Sequence, residues 1–387
     1  MRIYKITSAL ICLLLICLSV ISCSDPATYE EIDWSPEVPV YLEFDLYIIS
    51  DMDAREEATK AQKTVNSKIN QILNEKYLST VNIHYCAENE YDDIIDELIN
   101  SPKNNTASSS NRYYGGAIVL INNETIYDKL CDANKLVDLC PLLETKDFGT
   151  LNISITGALL EAAKVNDGDK VHLYCIPNDH IIGEYEFTVI NRSIAEGKLN
   201  FSAQSELLEM IIVNGVPNES AGMLIESVEN NFDLLGVDSV NDVIRIEKGR
   251  YQDKAYWESQ GYICNVSSYP KATSSEAFSS AFGILKSNDI NNSDGLVITA
   301  SECERRAMQI IYAINTNSDV RNLLQYGVEN THYTLTEENV VNPIEGSSYK
   351  MNILYTGNAF LAYYDEQWTE QIAMNGKNQN REAVVEK

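Results

Sequence analysis

Between residues 40 and 121 the apolar pattern switches repeatedly from strand to helix spacing, and this constrains the fold more than any other feature. Apolar residues alternate with polar ones from Val40 to Ile48, as in a half-buried strand. They then recur at three- and four-residue steps up to Ile72, the spacing of an amphipathic helix. A second strand, a second helix and a short apolar strand ending at Ile121 follow. This order predicts an α/β fold with a largely parallel sheet.

The first residues have the composition of an export signal. Arg2 and Lys5 give a basic start, and an almost unbroken apolar run from Ala9 to Ile21 follows. The run ends in Val-Ile-Ser-Cys, which resembles the bacterial lipobox and implies that Cys23 is lipidated and becomes the new N-terminus. We therefore expect a signal peptide at 1–22, lipid attachment at Cys23 and a polar tether at 23–39. The protein would then be anchored outside the cytoplasmic membrane.

Charge and cysteine content exclude several classes of protein. The net charge is 29 − 57 = −28, so nucleic acid is not an expected partner, because phosphates need clustered Lys and Arg. The same acidity argues against contact with an anionic membrane except through the lipid anchor. Of nine cysteines, six lie beyond the signal and Cys23, scattered and without a C-x-x-C pair. This pattern favours buried free thiols, leaves disulfides open and predicts no metal site.

A polar stretch between two apolar strands occupies the middle of the chain. Residues 173–176 form a short strand, Pro177 and Asn178 open a turn, and a second strand begins at Tyr185. Pro177 fixes its own φ, and Gly183 permits a backbone shape that other residues resist. A polar loop of this kind is typical of a crossing between two lobes, with an ordinary surface turn as the alternative.

After this stretch the helix and strand patterns begin again. Residues 205–213 and 221–235 are predicted to be helical, and 240–246 and 262–266 to be extended, while 276–285 is ambiguous. A strand at 295–300 precedes Ser301 and Glu304, which are spaced as a capping box. Ser318 is the predicted cap of the next helix, which ends at Gly327.

Several blocks of sequence resemble one family. Leu-Tyr-x-Ile-Pro-Asn-x-His-x-Ile-Gly-Glu-Tyr at 173–185 is similar to the first crossover of extracellular solute-binding lipoproteins (family 1-like) that serve carbohydrate-type ABC importers of Gram-positive, notably clostridial, bacteria. Residues 304–316, 322–333 and 355–363 resemble later blocks in the same order, and the resemblance, which includes 122–143, extends from Val40 to the end. Two departures are a local insertion at 101–112 and an end at Lys387, where family members continue. We therefore expect a truncated or partial member.

The resemblance implies a two-lobed periplasmic-binding-protein-like fold of type II, with crossover strands as the hinge. Lobe 1 would comprise 40–185 and about 299–345, and lobe 2 would comprise 186–298 and about 346–387. Ligand would lie between the lobes, where amides and carboxylates bond sugar hydroxyls and aromatic rings pack on the sugar face. The expected ligand and hinge residues are Asn178, Asp179, His180, Glu184, Tyr185, Tyr251, Trp257, His332 and Tyr333.

The function implied is a monomeric, lipid-anchored substrate-binding subunit that holds a saccharide for its ABC permease, without chemistry, cofactor or metal. Asp179, His180 and Glu184 do not predict a metal site, because Gly183 breaks any helix and a third firm ligand is missing. The sequence has no nucleophile elbow and no phosphate-binding loop. The alternatives are a surface sensor or carbohydrate-capturing protein of the same fold and, third, a secreted glycan-processing enzyme.

Overall fold

In the computed structural model, strands and helices alternate along the first part of the chain as the sequence predicts. The structure describes residues 32–52, 56–100, 107–109, 112–192, 239–291, 295–347, 349 and 351–386. The strands are β1 (Tyr41–Ile49), β2 (Ser79–Cys86), β3 (Ala107–Ser109), β4 (Arg112–Ile121), β5 (Lys164–Asn166), β6 (Val171–Leu173), β7 (Ile176–Pro177), β8 (Tyr185–Asn191), β9 (Ile244–Gly249), β10 (Tyr262–Ser268), β11 (Lys271–Ala272), β12 (Ala281–Ile284), β13 (Ile290–Asn291), β14 (Val297–Ile298), β15 (Tyr333–Leu335), β16 (Val341–Pro343) and β17 (Val384–Val385). The helices are α1 (Glu56–Tyr77), α2 (Glu88–Asn100), α3 (Glu124–Asp132), α4 (Cys140–Leu143), α5 (Leu151–Ser154), α6 (Gly157–Ala162), α7 (Asp253–Ser259), α8 (Ser274–Phe278), α9 (Ala300–Thr316), α10 (Ser318–Tyr326) and α11 (Glu370–Glu382).

The larger sheet is built on three parallel strands. β1 lies between β2 and β4 and runs parallel to both. β12 pairs antiparallel with β4 on one side and with β7 on the other, and the short β3 also pairs with β4. The β-strand residues Leu42, Phe44, Ile48 and Leu120 are fully buried, so the apolar alternation found in the sequence faces a core. Parallel pairing of the first strands is confirmed.

Helix α9 is tied to the amino-terminal edge of this sheet by a buried arginine. Arg306 is fully buried and donates to the carbonyl oxygens of Val40 at 2.9 Å and Tyr77 at 3.2 Å, and also to that of Leu78. Its Nε donates to the Ser79 hydroxyl at 3.2 Å. Burial lowers the pKa of Arg306 to about 10. Because its donors meet backbone acceptors, the helix is held at one position along the sheet edge.

The second sheet is antiparallel, with β8 between β9 and β10. One face carries a cluster of buried residues, Tyr185, Phe187, Val189 and Cys264, against which Trp257 of α7 packs. The helices predicted at 205–213 and 221–235 lie outside the described residues. Cys23, the predicted signal peptide and most of the predicted tether also lie outside them.

Residues 281–284 form β12 in the larger sheet and fall within the range 186–298 that the sequence analysis assigns to lobe 2. The division into two lobes stays a prediction. The caps of the last helices also lie upstream of their predicted positions. Thr299, not Ser301, accepts from the backbone N–H of Glu302, and Asn317, not Ser318, caps α10.

Gly327 ends α10 with φ of 83°, as predicted. Among the described residues, no helix combines the length and apolar character that a bilayer crossing requires.

Candidate ligand site

Residues 178–184, here called the first crossing segment, connect β7 of the larger sheet to β8 of the second sheet. Gly183 has φ of +51°, and a Cβ atom there would lie 3.0 Å from both the backbone N and O of Lys271. Lys271 belongs to residues 269–273, the second crossing segment, which leads from β10 towards β12. The two crossing segments therefore lie side by side, and glycine is required where their backbones meet.

Two adjacent amide side chains of α11 brace the first crossing segment. Gln379 donates to the carbonyl oxygens of Ile182 at 2.7 Å and Gly183 at 2.8 Å. Asn380 accepts from the Ile182 N–H at 2.9 Å and donates to the His180 carbonyl at 2.6 Å. Both side chains are buried. The carbonyl groups of His180, Ile182 and Gly183 and the N–H of Ile182, which have no strand partner, are thus paired by this helix.

Three of the predicted site residues in this segment are buried and hydrogen-bonded within the protein. Asn178 donates to the Ser280 hydroxyl at 2.9 Å and to the Leu354 carbonyl at 3.2 Å. The Nδ1 of His180 lies 2.8 Å from the Asn178 carbonyl, which fixes that nitrogen as the donor. Glu184 is exposed. The buried side chains of Asn178 and His180 therefore fix the shape of the first crossing segment. Asn178 also connects this segment to Leu354, the residue that precedes Tyr355.

Asp179 is the buried acid of this segment. Burial raises its pKa to about 7, and hydrogen bonds from Thr156 and from the His180 N–H, together with the charge of Lys377, oppose the shift. The Asn380 amide lies 3.4 Å from its Oδ1. These polar neighbours only partly offset the free-energy cost of removing the Asp179 charge from water, so the pKa stays raised.

Tyr185 and Tyr251, both predicted site residues, line one pocket of about 330 Å³. The ring centroids of Tyr251 and Tyr269 lie 6.5 Å and 6.3 Å from that of Tyr185. The Tyr185 hydroxyl donates to Glu382 at 2.8 Å, and Glu258 also lines the pocket. Three phenols and two carboxylates are groups suited to hydroxylated ligands, so we call this the aromatic pocket.

Trp257 lies beside this pocket but belongs to the packing of the second sheet. Its ring contacts the buried cluster of that sheet, and the Arg245 guanidinium lies 4.8 Å from the ring centroid. The neighbouring Tyr256 is 55% exposed. The Trp257 ring is held between the buried cluster of the second sheet and the Arg245 guanidinium, which is compatible with a structural role.

His332 and Tyr333 pack in a different cluster, near the end of α10. The His332 ring stacks on Tyr349 at 5.4 Å, its Nδ1 accepts from the Val328 N–H at 2.8 Å, and burial lowers its pKa. Tyr333 is buried against Tyr326 and Tyr363. These two predicted residues are held by their own neighbours and support the segment after α10.

A further group of polar residues lies where the parallel strands end, and the sequence analysis did not identify it. Asp51 follows β1, Glu88 begins the helix after β2, and Asn122 follows β4. The half-buried phenol of Tyr355 is hydrogen-bonded with Asn122, and burial together with the charges of Glu88 and Asp51 raises its pKa. The four residues are here called the carboxyl-edge cluster. In open α/β sheets, ligands bind outside the carboxyl ends of the strands.

Two carboxylates, an amide and a phenol can bind neutral hydroxyl groups by donating and accepting hydrogen bonds. Among the described residues, no three His, Cys, Asp or Glu side chains are grouped as a metal site would require.

The fold is similar to that of solved solute-binding proteins. The N-glycan transport solute-binding protein of Streptococcus pneumoniae superimposes with a TM-score of 0.52, at 17% identity over 89% of this chain and 83% of that protein. Its complex with Man1GlcNAc gives a TM-score of 0.51, at 16% identity over 89% and 84%. Its complex with Man5GlcNAc gives 0.50, at 16% identity over 89% and 83%. No protein-family model matches the chain, and neither does any curated protein.

This similarity shows that the chain has the α/β fold of an extracellular solute-binding protein, which confirms the predicted fold class.

Proposed function

We propose that the protein is the extracellular substrate-binding subunit of an ABC importer and that it binds a saccharide. The observation that carries this proposal is the fold shared with the N-glycan transport protein, which has been solved with Man1GlcNAc and Man5GlcNAc. The proposed saccharide site is the carboxyl-edge cluster. Its Asp51 and Glu88 carboxylates would accept hydrogen bonds from adjacent hydroxyls, while Asn122 and Tyr355 both donate and accept.

The contacts of the first crossing segment support a link between this site and the hinge. Leu354 precedes Tyr355, and its carbonyl oxygen accepts from Asn178 at 3.2 Å and from the Ser280 hydroxyl. Asn178 lies on the first crossing segment, and Ser280 lies between the second crossing segment and β12. These contacts join the Tyr355 backbone to the residues beside β7 and β12, where both crossing segments meet the larger sheet. We propose that saccharide binding shifts an open–closed equilibrium through these contacts.

Affinity measurements on cluster variants test the saccharide site. Asn122→Ala and Tyr355→Phe should weaken binding of mannose- and N-acetylglucosamine-containing oligosaccharides, each by about two- to tenfold, since each removes a hydrogen bond worth roughly 0.5–1.5 kcal/mol. Asn100→Ala, an exposed amide at the end of α2, is the matched control and should bind like the wild type. Calorimetry measures the affinities. Unchanged affinity in both cluster variants, or no binding across an oligosaccharide panel, would contradict the proposal.

Lipid attachment at Cys23 is part of the same proposal and rests on the sequence. The lipobox-like Val-Ile-Ser-Cys follows an apolar run of the length of a signal peptide. Cells fed labelled palmitate should incorporate label into the wild-type protein and into Cys17→Ser, whose changed thiol lies in the signal. They should not label Cys23→Ser. Labelling of Cys23→Ser, or its retention in the detergent phase, would contradict attachment at this residue.

A further inference from the structure

A second cavity, of about 600 Å³, lies away from the carboxyl-edge cluster and beside the first crossing segment. Its walls are the turn between α5 and α6, the end of α9, the segment after Tyr355 and one face of α11. Its volume is within the range of small-molecule sites in proteins. The argument below uses six of its lining residues, which are Asp179, Asn315, Asn358, Phe360, Lys377 and Arg381.

Buried amides make this cavity polar. Asn315 is fully buried, and its amide nitrogen donates to the Ile311 carbonyl at 3.2 Å. Its carbonyl oxygen has no hydrogen-bond partner among the described residues. Leaving such an oxygen unpaired costs roughly 1–3 kcal/mol. The oxygen is shielded from solvent, so a ligand hydroxyl bonds it after a small movement of the side chains that cover it. Asn358 has both ends of its amide paired, to the Ser154 carbonyl and the Phe360 N–H at 2.9 Å each, and so forms a rigid wall.

The rim of the cavity is basic, although the whole chain carries a net charge of −28. Lys377 and Arg381 are exposed and four residues apart on α11, so they lie on the same face of the helix. The Lys377 ammonium lies 5.8 Å from the centre of the Phe360 ring. Arg381 donates one hydrogen bond to Asn378 at 3.3 Å, which leaves its other N–H groups for a ligand.

The buried acid beside this rim suits an anionic ligand as well. The Asp179 carboxyl lines the same cavity, and burial raises its pKa to about 7, so its neutral form is available near neutral pH. A neutral carboxyl donates a hydrogen bond to an anion instead of repelling it. The cavity thus combines two cations, an acid whose pKa is raised to about 7, amides and one aromatic face.

We propose that this cavity is a second ligand site, which binds a small hydroxylated carboxylate of the uronic acid class. The ligand carboxylate is bound by Lys377 and Arg381, the latter in the two-pronged geometry that guanidinium groups favour. One sugar hydroxyl donates to the unpaired Asn315 oxygen, and the C–H face of the ring packs on Phe360. The site is separate from the proposed saccharide site, because none of its six residues belongs to the carboxyl-edge cluster.

The experiment is calorimetry on the full chain with D-glucuronate, and with D-glucose, in which a hydroxymethyl group replaces the carboxylate. Glucuronate should bind with a Kd of about 1 mM or tighter, and glucose should bind at this site at least about tenfold more weakly. The double variant Lys377→Ala, Arg381→Ala should lose about tenfold in glucuronate affinity, the upper end for two exposed ion pairs. Both side chains are exposed, so the variant is expected to fold.

Two controls separate this inference from the proposed function. Lys254→Ala removes a cation from the aromatic pocket and should leave glucuronate affinity unchanged. Asn122→Ala, in the saccharide site, should also leave it unchanged. The inference is overturned if glucuronate does not bind at about 10 mM, ten times the weakest expected Kd. It is also overturned if the double variant binds like the wild type, or if Asn122→Ala or Lys254→Ala abolishes binding.

Discussion

The Asn380 side chain donates to the His180 carbonyl over 2.6 Å, and its oxygen accepts from the Ile182 N–H over 2.9 Å. One amide of α11 therefore spans two residues of the first crossing segment, whose backbone has no strand partner at these positions. The geometry of the first crossing segment is therefore set by this helix as well as by the sheets that the segment joins.

Asn380→Ala should destabilise the protein by about 2–4 kcal/mol, because it removes these bonds and leaves a buried backbone donor and acceptor unpaired. Gln371→Ala on the same helix is the control. Its side chain is exposed, and the change should stay within about 0.5 kcal/mol. Urea unfolding of the purified proteins measures both. Equal midpoints for the two variants would show that the brace contributes nothing to stability.

Gly183→Ala should cost more stability than a glycine substitution in open space. Both Gly183 and Gly168 have positive φ, so alanine costs about 1 kcal/mol at either position. Only at Gly183 does the new Cβ lie 3.0 Å from backbone atoms of Lys271, whereas nothing lies within 4 Å at Gly168. We expect a loss of about 2–3 kcal/mol at Gly183, measured by denaturant unfolding. A smaller loss at Gly183 than at Gly168 would contradict the close contact of the two crossing segments.

Asp179 should make stability fall as pH rises. Its pKa is about 7 in the folded protein and 3.8 for the free group, so between these values the folded state holds a proton that the unfolded state has lost. Stability then decreases by up to about 1.4 kcal/mol per pH unit over this range and is constant above it. Asp179→Asn removes this dependence. Subtracting its unfolding free energies at pH 5–8 from those of the wild type isolates the effect, and parallel profiles would exclude it.

Trp257→Ala should lower stability by about 2 kcal/mol, because the ring packs against the buried cluster of the second sheet while remaining partly exposed. Tyr256→Ala, one residue earlier and 55% exposed, should cost less, about 0.5–1 kcal/mol, because it removes only the edge contact of its ring with Trp257 at 5.1 Å. Thermal and urea unfolding provide the comparison. If Trp257→Ala instead keeps full stability and loses saccharide affinity, the ring belongs to a ligand site and not to the core.

The sequence was sufficient to predict β1, α1, β2, α2 and the apolar part of β4, since a single apolar period or an apolar run dominates each of them. The short β3, Ala107–Ser109, was not predicted because its residues are small and mostly polar. The sequence also located the first crossing segment, because Pro177 and Gly183 restrict the backbone in ways that few conformations satisfy. The strand at 281–284 was ambiguous for a physical reason. All four of its residues are buried, so its sequence has neither the alternation of a half-buried strand nor the stripe of a surface helix.

The site was harder to predict than the fold. Asn380 and Gln379 brace the crossing segment from about 200 residues away, and amides on a polar helix give no signal of such a contact in the sequence. Asp51 and Asn122 each follow a buried strand, which is the pattern that could have identified the carboxyl-edge cluster. This pattern predicts a shared site only when the strands are known to be parallel neighbours, because their carboxyl ends then meet at one edge of the sheet.

The position of β12 has a consequence for the order in which the protein can be assembled. This strand pairs with β4 yet follows it by about 160 residues, with the whole second sheet encoded between them. β3 covers the start of β4, but at about 5–20 residues per second the edge at residues 118–121 waits roughly 8–30 seconds for β12. An unpaired, fully apolar strand edge is a point of aggregation. A holdase chaperone that covers residues 117–121 during this interval should therefore raise the yield of folded protein more than one that acts after release.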